Sequence, residues 1–141
     1  MTSTRTWNVL LIEDNPGDAN LLLICSRDYP GIEIFNAPNA LQANRFLHRT
    51  APFDEVAIPD LVLLDLTLPV FNGFDILQGM REVPDLAHVP VVVLTSSISQ
   101  ADKDRALRLG ATDYLIKPVE WGRWQTMVSR IFRRHLKGFV G

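Results

Sequence analysis

The fold of this chain is decided by the stretch Leu61-Val62-Leu63-Leu64-Asp65, four consecutive apolar residues that end on an acid. A strand with one exposed face alternates apolar and polar residues, whereas an uninterrupted apolar strand is typical of a strand buried on both faces. The runs Val9–Ile12 and Val91–Thr95 have the same apolar character. Because helical patterns follow each of these runs, the sequence predicts an α/β fold in which helices cover both faces of a parallel sheet.

On both sides of this stretch, the alternation of apolar runs with helical patterns predicts a strand and a helix repeated five times. The two remaining strands are expected at Ile32–Phe35 and Thr112–Ile116. The expected helices cover about residues 16–27, 38–48, 73–81, 100–109 and 119–137. Asn15 followed by proline, and Ser99, have the character of N-caps, and Gly110 suits the position after a helix end. A longer connection with prolines spans residues 50–59.

The bulk composition narrows the class of protein. The 141 residues suit one domain, expected to have its core at about residues 7–137 and no effector domain after it. A net charge of −2 argues against general binding to nucleic acid or to an anionic membrane. No apolar run is long enough to span a bilayer, and the polar N-terminus lacks a signal-peptide pattern. A single cysteine, Cys25, fits a reducing compartment, so a cytoplasmic protein is expected.

Chemically active side chains follow four of the five predicted strands. Glu13-Asp14 end the first strand, Asp65 the third, Thr95 the fourth, and Lys117 follows the fifth. The carboxyl ends of parallel strands lie along one edge of a sheet, which is where open α/β sheets bind ligands. We therefore expect three carboxylates, a hydroxyl and an ammonium to converge in one cleft.

Three neighbouring carboxylates repel one another and need a counter-charge. At an effective dielectric constant of about 20, two charges about 4 Å apart interact by about 4 kcal/mol. A hard divalent cation relieves this repulsion, and Mg²⁺ commonly uses one or two carboxylates together with waters and phosphate oxygens. Carboxylate, Mg²⁺, lysine and hydroxyl are together the groups that phosphoryl transfer requires.

Along nearly its whole length, about residues 8–137, the sequence resembles the receiver domains of response regulators. The matching motifs are Glu13-Asp14, Asp65-Leu66-Thr67-Leu68-Pro69 with Gly73, Thr95-Ser96 and Lys117-Pro118. Each motif alone is weak, but all of them occur in order and each stands at a strand end. The resemblance implies a flavodoxin-like, doubly wound (βα)5 fold with the strand order 2-1-3-4-5.

The resemblance also implies a role for each acidic residue. Asp65 would be the nucleophile that accepts a phosphoryl group from a phosphohistidine of a sensor histidine kinase, giving an aspartyl phosphate. Asp14 and Asp65 would bind Mg²⁺ directly, together with the backbone carbonyl of Thr67. Glu13 would reach the metal directly or through a water molecule.

Four further residues are given roles by the resemblance. Lys117 would pair with a phosphoryl oxygen, and Thr95 with its neighbour Ser96 would form the phosphoryl-binding and switch segment. Tyr114 would be the aromatic switch residue, whose ring turns inward when Thr95 moves towards the phosphate. The Lys117–Pro118 peptide bond would be cis, which a proline allows at a cost of about 0.5–1 kcal/mol. Thr67 and Ser97, flanking the site, would influence hydrolysis of the phosphate.

Three other functions compete with this hypothesis. A Mg²⁺-dependent phosphohydrolase of the haloacid-dehalogenase type needs Asp-x-Asp, and the residue two positions after Asp65 is Thr67. A nucleotide- or flavin-binding module needs a glycine-rich turn after the first strand, where this chain has acids. A receiver-like scaffold that is never phosphorylated would not need a competent residue at every reactive position.

Two apolar segments exceed what a minimal receiver needs, and they predict partner surfaces. The run Leu21–Cys25 makes the first helix apolar around most of its circumference, and in the family that helix docks on the kinase. The last helix and the tail carry Trp121, Trp124, Val128, Ile131, Phe132, Leu136, Phe139 and Val140. We expect a homodimer through the last helix, with the tail crossing over, because large exposed apolar patches usually mark interfaces.

The Glu13–Asp18 stretch, the longer connection and the extended last helix resemble single-domain regulators paired with bacterial phytochromes.

Overall fold

The computed structural model describes residues 5–66 and 72–139. Five strands alternate with five helices along the chain, and the predicted α/β class is confirmed. In chain order the elements are β1 Trp7–Ile12, α1 Pro16–Ser26, β2 Ile32–Ala37, α2 Ala40–Leu47, β3 Leu61–Leu64, α3 Gly73–Glu82, β4 Val91–Thr95, α4 Gln100–Arg108, β5 Asp113–Ile116 and α5 Trp121–His135. Every strand pair is parallel, and the order across the sheet is β2-β1-β3-β4-β5, as expected.

Polar caps set the starts of the helices. The side chains of Asn15, Asn39, Asn72 and Ser99 each accept a hydrogen bond from a main-chain N–H three residues later. These bonds satisfy N–H groups that have no partner within the first turn. The prediction that the second helix starts at Pro38 was wrong by two residues, because the cap is Asn39. The last helix starts at Trp121 rather than Val119, since Glu120 takes the N-cap position.

The core has two layers, one on each face of the sheet. Alternate residues of β1 point to opposite faces: Leu10 and Ile12 pack under α2 and α3, whereas Val9 and Leu11 pack under α1 and α5. All four side chains of β3 are buried, as the uninterrupted apolar pattern predicted. The sheet is therefore held from both sides, and its carboxyl edge is fixed in place.

Most apolar side chains of α5 belong to this core, which corrects the expectation that they are exposed; Trp121, at 42 % exposed, is the exception among the α5 residues named. Trp124, Val128, Ile131, Phe132 and Leu136 are all buried against the sheet and α1. Phe139 also packs on its own chain, with its ring 5.3 Å from Trp7 and 6.0 Å from Phe132. The reason is geometric: the apolar stripe of α5 faces the sheet along the whole helix. Val140, named with the tail, lies outside the described residues.

Within the described part of the chain, no helix is both long enough and apolar enough to cross a membrane.

Candidate functional site

The carboxyl edge of the sheet carries the predicted residues, and main-chain hydrogen bonds extend the ladder to reach them. Asp65 N–H donates to the carbonyl of Ile12, and Lys117 N–H donates to the carbonyl of Thr95 at 2.8 Å. The residue after each strand is thereby held in line with its neighbours. The sequence alone predicted this convergence, because parallel strands end at the same edge.

Three carboxylates lie close enough together to share one cation. Glu13, Asp14 and Asp65 each offer an oxygen within 4.8 Å of the others. Glu13 and Asp65 are almost completely buried, whereas Asp14 is exposed. Carboxylate oxygens gathered in this way suit a hard divalent cation. Thr67, predicted to add its carbonyl to the same cation, lies outside the described residues.

Lys117 reaches into the same cleft and pairs with three carboxylates. Its Nζ lies 2.6 Å from Glu13 Oε1, 2.8 Å from Asp18 Oδ2 and 2.9 Å from Asp65 Oδ2. Burial alone would lower the pKa of the Lys117 ammonium, but the hydrogen bonds to Asp18, Glu13 and Asp65 outweigh it and raise the pKa above its ordinary value. The lysine is therefore a permanent positive charge in the cleft.

The neutral form of the Glu13 carboxyl group is favoured more strongly than it is in a solvent-exposed glutamate. Burial raises the pKa of its carboxyl group to about 7; the hydrogen bond with Lys117 opposes this shift and the nearby Asp65 adds to it. Loss of water around a carboxylate disfavours the charged form, which is the main cause here. Near neutral pH, Glu13 can accordingly hold a proton or lose it to a cation.

The end of β4 and the loop after it contribute hydroxyl groups. Thr95 is fully buried, and its Oγ1 accepts a hydrogen bond from Ser97 N–H at 3.3 Å. Ser96 lines a cleft of about 250 Å³ together with Asp14, Asn15, Asp18, Asp65 and Lys117. Ser97, also named from the sequence, donates through its hydroxyl to Asp102 Oδ2 at 2.7 Å, which holds it to the first turn of α4.

Tyr114 lies with its ring inward. The residue is 7 % exposed and packs with Leu66, Phe74, Val93 and Ala106. Its hydroxyl donates a hydrogen bond of 2.9 Å to the carbonyl of Ser97. The hydrogen bond therefore connects Tyr114 on β5 to the loop that follows Thr95. A switch that couples the movement of Thr95 to that of Tyr114 would require such a contact.

The peptide bond before Pro118 corrects one prediction. Among the described residues the cis peptide bond is Ala51–Pro52, and Lys117–Pro118 is trans. With this bond trans, the Lys117 ammonium lies within 3 Å of carboxylate oxygens of Glu13, Asp18 and Asp65. The carbonyl of Pro118 instead accepts a hydrogen bond from Trp124 Nε1 at 3.0 Å, which attaches the loop to α5.

Sequence reasoning missed Asp18 as a partner of Lys117. The residue drew notice only as part of an acidic stretch, although the cap at Asn15 placed it in the first turn of the first helix. A first-turn residue of a helix that follows a strand end lies beside the carboxyl edge of the sheet. That position was the available signal, but the rotation of the helix decides whether the side chain faces the cleft.

Comparisons with known proteins agree with this geometry. The family model described as "Response regulator receiver domain" matches residues 9–129. The chain is 33 % identical to "Response regulator Rcp1" of Synechocystis over 110 residues, which are 77 % of this chain and 75 % of that protein. It is also 30 % identical over 131 residues to "Sensor histidine kinase TmoS" of Ectopseudomonas mendocina, covering 92 % of this chain but only 12 % of that protein's length.

Two solved structures resemble the fold closely. The phosphorylated cyanobacterial phytochrome response regulator RcpA superposes with a TM-score of 0.89 at 26 % identity, covering 96 % of this chain and 97 % of the other. The Mn²⁺-bound form of Rcp1 gives a TM-score of 0.87 at 30 % identity, covering 95 % and 97 %. With the family model matching most of the chain, and with the acids and the lysine at the expected strand ends, the chain belongs to the family of response regulator receiver domains.

Proposed function

We propose that Asp65 of this receiver domain accepts a phosphoryl group from a sensor histidine kinase in a Mg²⁺-dependent reaction. One observation carries the proposal. The buried Asp65 carboxylate belongs to a group of three acids suited to a divalent cation, and its Oδ2 lies 2.9 Å from the Lys117 Nζ. A nucleophilic oxygen, a place for a cation and a fixed positive charge are the parts that phosphoryl transfer uses.

The transfer step follows from these positions. An Asp65 carboxylate oxygen attacks phosphorus and forms a new P–O bond, while the bond from phosphorus to the donor breaks and the donor leaves with its electron pair. Bound Mg²⁺ would be held by Asp14, Asp65, Glu13 and the carbonyl of Thr67, and it would neutralise charge on the phosphoryl oxygens. Lys117 would pair with one of those oxygens, and the hydroxyl groups of Thr95 and Ser96 would donate hydrogen bonds to the others.

The chain acts as a signalling phosphoacceptor rather than as an enzyme in this proposal. A phytochrome-type kinase is the proposed donor, supported by the likeness of the chain to RcpA, a cyanobacterial phytochrome response regulator. The docking surface would be α1, where Ile24 is 41 % exposed.

A second copy of the chain is the other proposed partner. Exposed large apolar side chains concentrate between residues 98 and 121. They are Ile98, Leu107, Ile116, Val119 and Trp121. These residues come from the loop before α4, from α4, from β5, from the loop before α5 and from the first residue of α5. The proposed dimer therefore uses the start of α5 and its neighbours, not the buried stripe of that helix.

The phosphoacceptor proposal is tested by incubating the protein with acetyl phosphate and Mg²⁺ and measuring its intact mass. The wild type and the control Asp28→Asn, which changes an exposed aspartate, should each gain one phosphoryl group. Asp65→Asn should gain none, and a chelator should abolish the gain in the wild type. No adduct on the wild type with several phosphodonors, or an adduct that persists in Asp65→Asn, would overturn the proposal.

A further inference from the structure

The Lys117 ammonium has as many carboxylate partners as it has hydrogens to donate. A protonated lysine carries three N–H donors, and Nζ lies within 3 Å of Glu13, Asp18 and Asp65. The Lys117 side chain is only 7 % exposed, so water has little access to it. To contact a phosphoryl oxygen, this ammonium has to give up one of the three carboxylates.

The three partners differ in what else they are needed for. Glu13 and Asp65 belong to the group of acids that could share a cation, and Asp18 does not. A cation bound there draws electron density from Glu13 and Asp65, which weakens their hold on the lysine. Asp18 is left as the carboxylate whose role in the cleft is its contact with Lys117.

The backbone of Asp18 is fixed independently of the lysine. Asp18 lies in the first turn of α1, and its N–H donates to the side chain of Asn15 at 3.1 Å. From that position its carboxylate reaches Lys117 across the entrance of the cleft, and it remains partly exposed, at 27 %. Because α1 is packed against the sheet and α5, Asp18 is a stationary anchor while the charges around Asp65 change.

We propose that Asp18 is the positioning residue of Lys117: it holds the ammonium in the cleft after the cation and the phosphoryl group have taken over Glu13 and Asp65. This inference rests on the proposed phosphoacceptor function. Without Asp18, the lysine would either move fully onto Glu13 and Asp65, in competition with the cation, or lose its fixed direction. Both outcomes lower the rate at which Asp65 is phosphorylated.

The chain offers a matched control for this anchor. Asp75 holds the same position in the first turn of α3, where its N–H donates to the capping side chain of Asn72 at 3.2 Å. Asp75 is exposed, and its carboxylate makes no ion pair with Lys117. Asp75→Asn thus removes one negative charge from a helix start at the same edge of the sheet, as Asp18→Asn does, without touching the lysine.

The test compares rates of phosphorylation by acetyl phosphate at saturating Mg²⁺, so that a change in metal affinity is separated from a change in rate. The rate of phosphorylation of Asp18→Asn should be about tenfold or more below that of the wild type, which is the loss expected for one hydrogen bond to a charged group. Asp18→Glu should retain most of the rate, and Asp75→Asn should match the wild type. In a Lys117→Ala background, Asp18→Asn should have no further effect.

Two results would overturn the inference. One is an unchanged rate in Asp18→Asn; the other is an equal loss from Asp18→Asn in the presence and absence of Lys117. A second measurement does not depend on phosphorylation: heteronuclear NMR of the Lys117 ammonium in the unphosphorylated protein should show a shifted or lost signal in Asp18→Asn and the native signal in Asp75→Asn. If the wild type takes up no phosphoryl group, the proposed function fails, and an unchanged ammonium signal in Asp18→Asn would then reject the Asp18 contact as well.

Discussion

At the scale of single residues, Glu13 links the protonation state of the site to cation binding. Its carboxyl group has a pKa raised to about 7, mainly by burial. A protonated carboxyl is a poor ligand for a hard cation, so protons and the cation compete for this residue. A glutamate with an unperturbed pKa of 4.5 would be ionised throughout the neutral range and would show no such competition.

The apparent affinity for Mg²⁺ should therefore depend on pH between 6 and 8. One titrating group with a pKa of about 7 predicts a dissociation constant about tenfold larger at pH 6 than at pH 8. Isothermal titration calorimetry at the two pH values measures the ratio. Glu13→Gln should bind more weakly at both values and lose most of the dependence. Equal dissociation constants for the wild type at pH 6 and pH 8 would contradict this assignment.

In the absence of a cation, the raised pKa of Glu13 also makes the free energy of unfolding depend on pH. Because the folded-state pKa of Glu13 is raised above its ordinary value of 4.5, the neutral form favours the folded state. The contribution of Glu13 to the free energy of unfolding is full below about pH 4.5 and is lost as the pH rises through about 7. A bound divalent cation should reverse that loss.

At the scale of elements, Arg81 joins the end of α3 to two connections, the one between α3 and β4 and the one between α4 and β5. Its Nη1 donates to the carbonyls of Leu86, Ala87 and Val89, and its Nε and Nη2 donate to the carbonyl of Gly110. Gly110 has a φ of 101°, and a Cβ there would lie 2.8 Å from Arg81 Nε. The turn between α4 and β5 is thus shaped around this guanidinium.

Arg81→Met should be strongly destabilising, because it leaves several partly buried carbonyls without donors. Hydrogen bonds to a charged group contribute about 1.5–3 kcal/mol each, but bonds that share one donor or one acceptor are not additive. A loss of about 2–4 kcal/mol in the free energy of unfolding is therefore expected, which corresponds to about one or two full bonds. Urea unfolding followed by circular dichroism measures it. The control Arg108→Met, at an exposed arginine in α4, should change the free energy by less than about 0.5 kcal/mol. Similar values for the two variants would show that the Arg81 contacts contribute little.

At the scale of the whole molecule, burial determines which apolar side chains can contact a partner. The last helix places its apolar stripe against its own sheet, so that stripe is not free for a second copy. Val119, at 98 % exposed, lies in the loop before this helix, and Trp121, at 42 %, is the first residue of the helix. Val119 lines a cavity of about 630 Å³ with Ile116, Met127, Arg123 and Arg130, which gives this surface both apolar and basic side chains.

The double variant Val119→Asp, Trp121→Asp should shift the proposed dimer towards monomer. Two charges placed in an apolar interface lose water without gaining partners, so association should be weaker by at least about tenfold. Light scattering at high micromolar concentration, with and without a phosphoryl mimic, gives the mass. Ile24→Asp, at an exposed apolar residue of α1, is the matched control and should leave the mass unchanged. A wild-type protein that is monomeric under both conditions would reject the dimer.

The α/β class, the five strands and helices and the edge where the site lies follow from the sequence alone, because uninterrupted apolar strands, polar caps and parallel strand ends are local patterns with direct geometric consequences. The sequence also indicated Glu13, Asp14, Asp65, Thr95 and Lys117 as neighbours. The tertiary structure was needed to establish that Asp18 faces Lys117, that the bond before Pro118 is trans and that most apolar side chains of α5 are core. The orientation of Asp18 and the burial of α5 depend on how each helix is rotated and seated on the sheet, and that is set by packing among residues far apart in the chain.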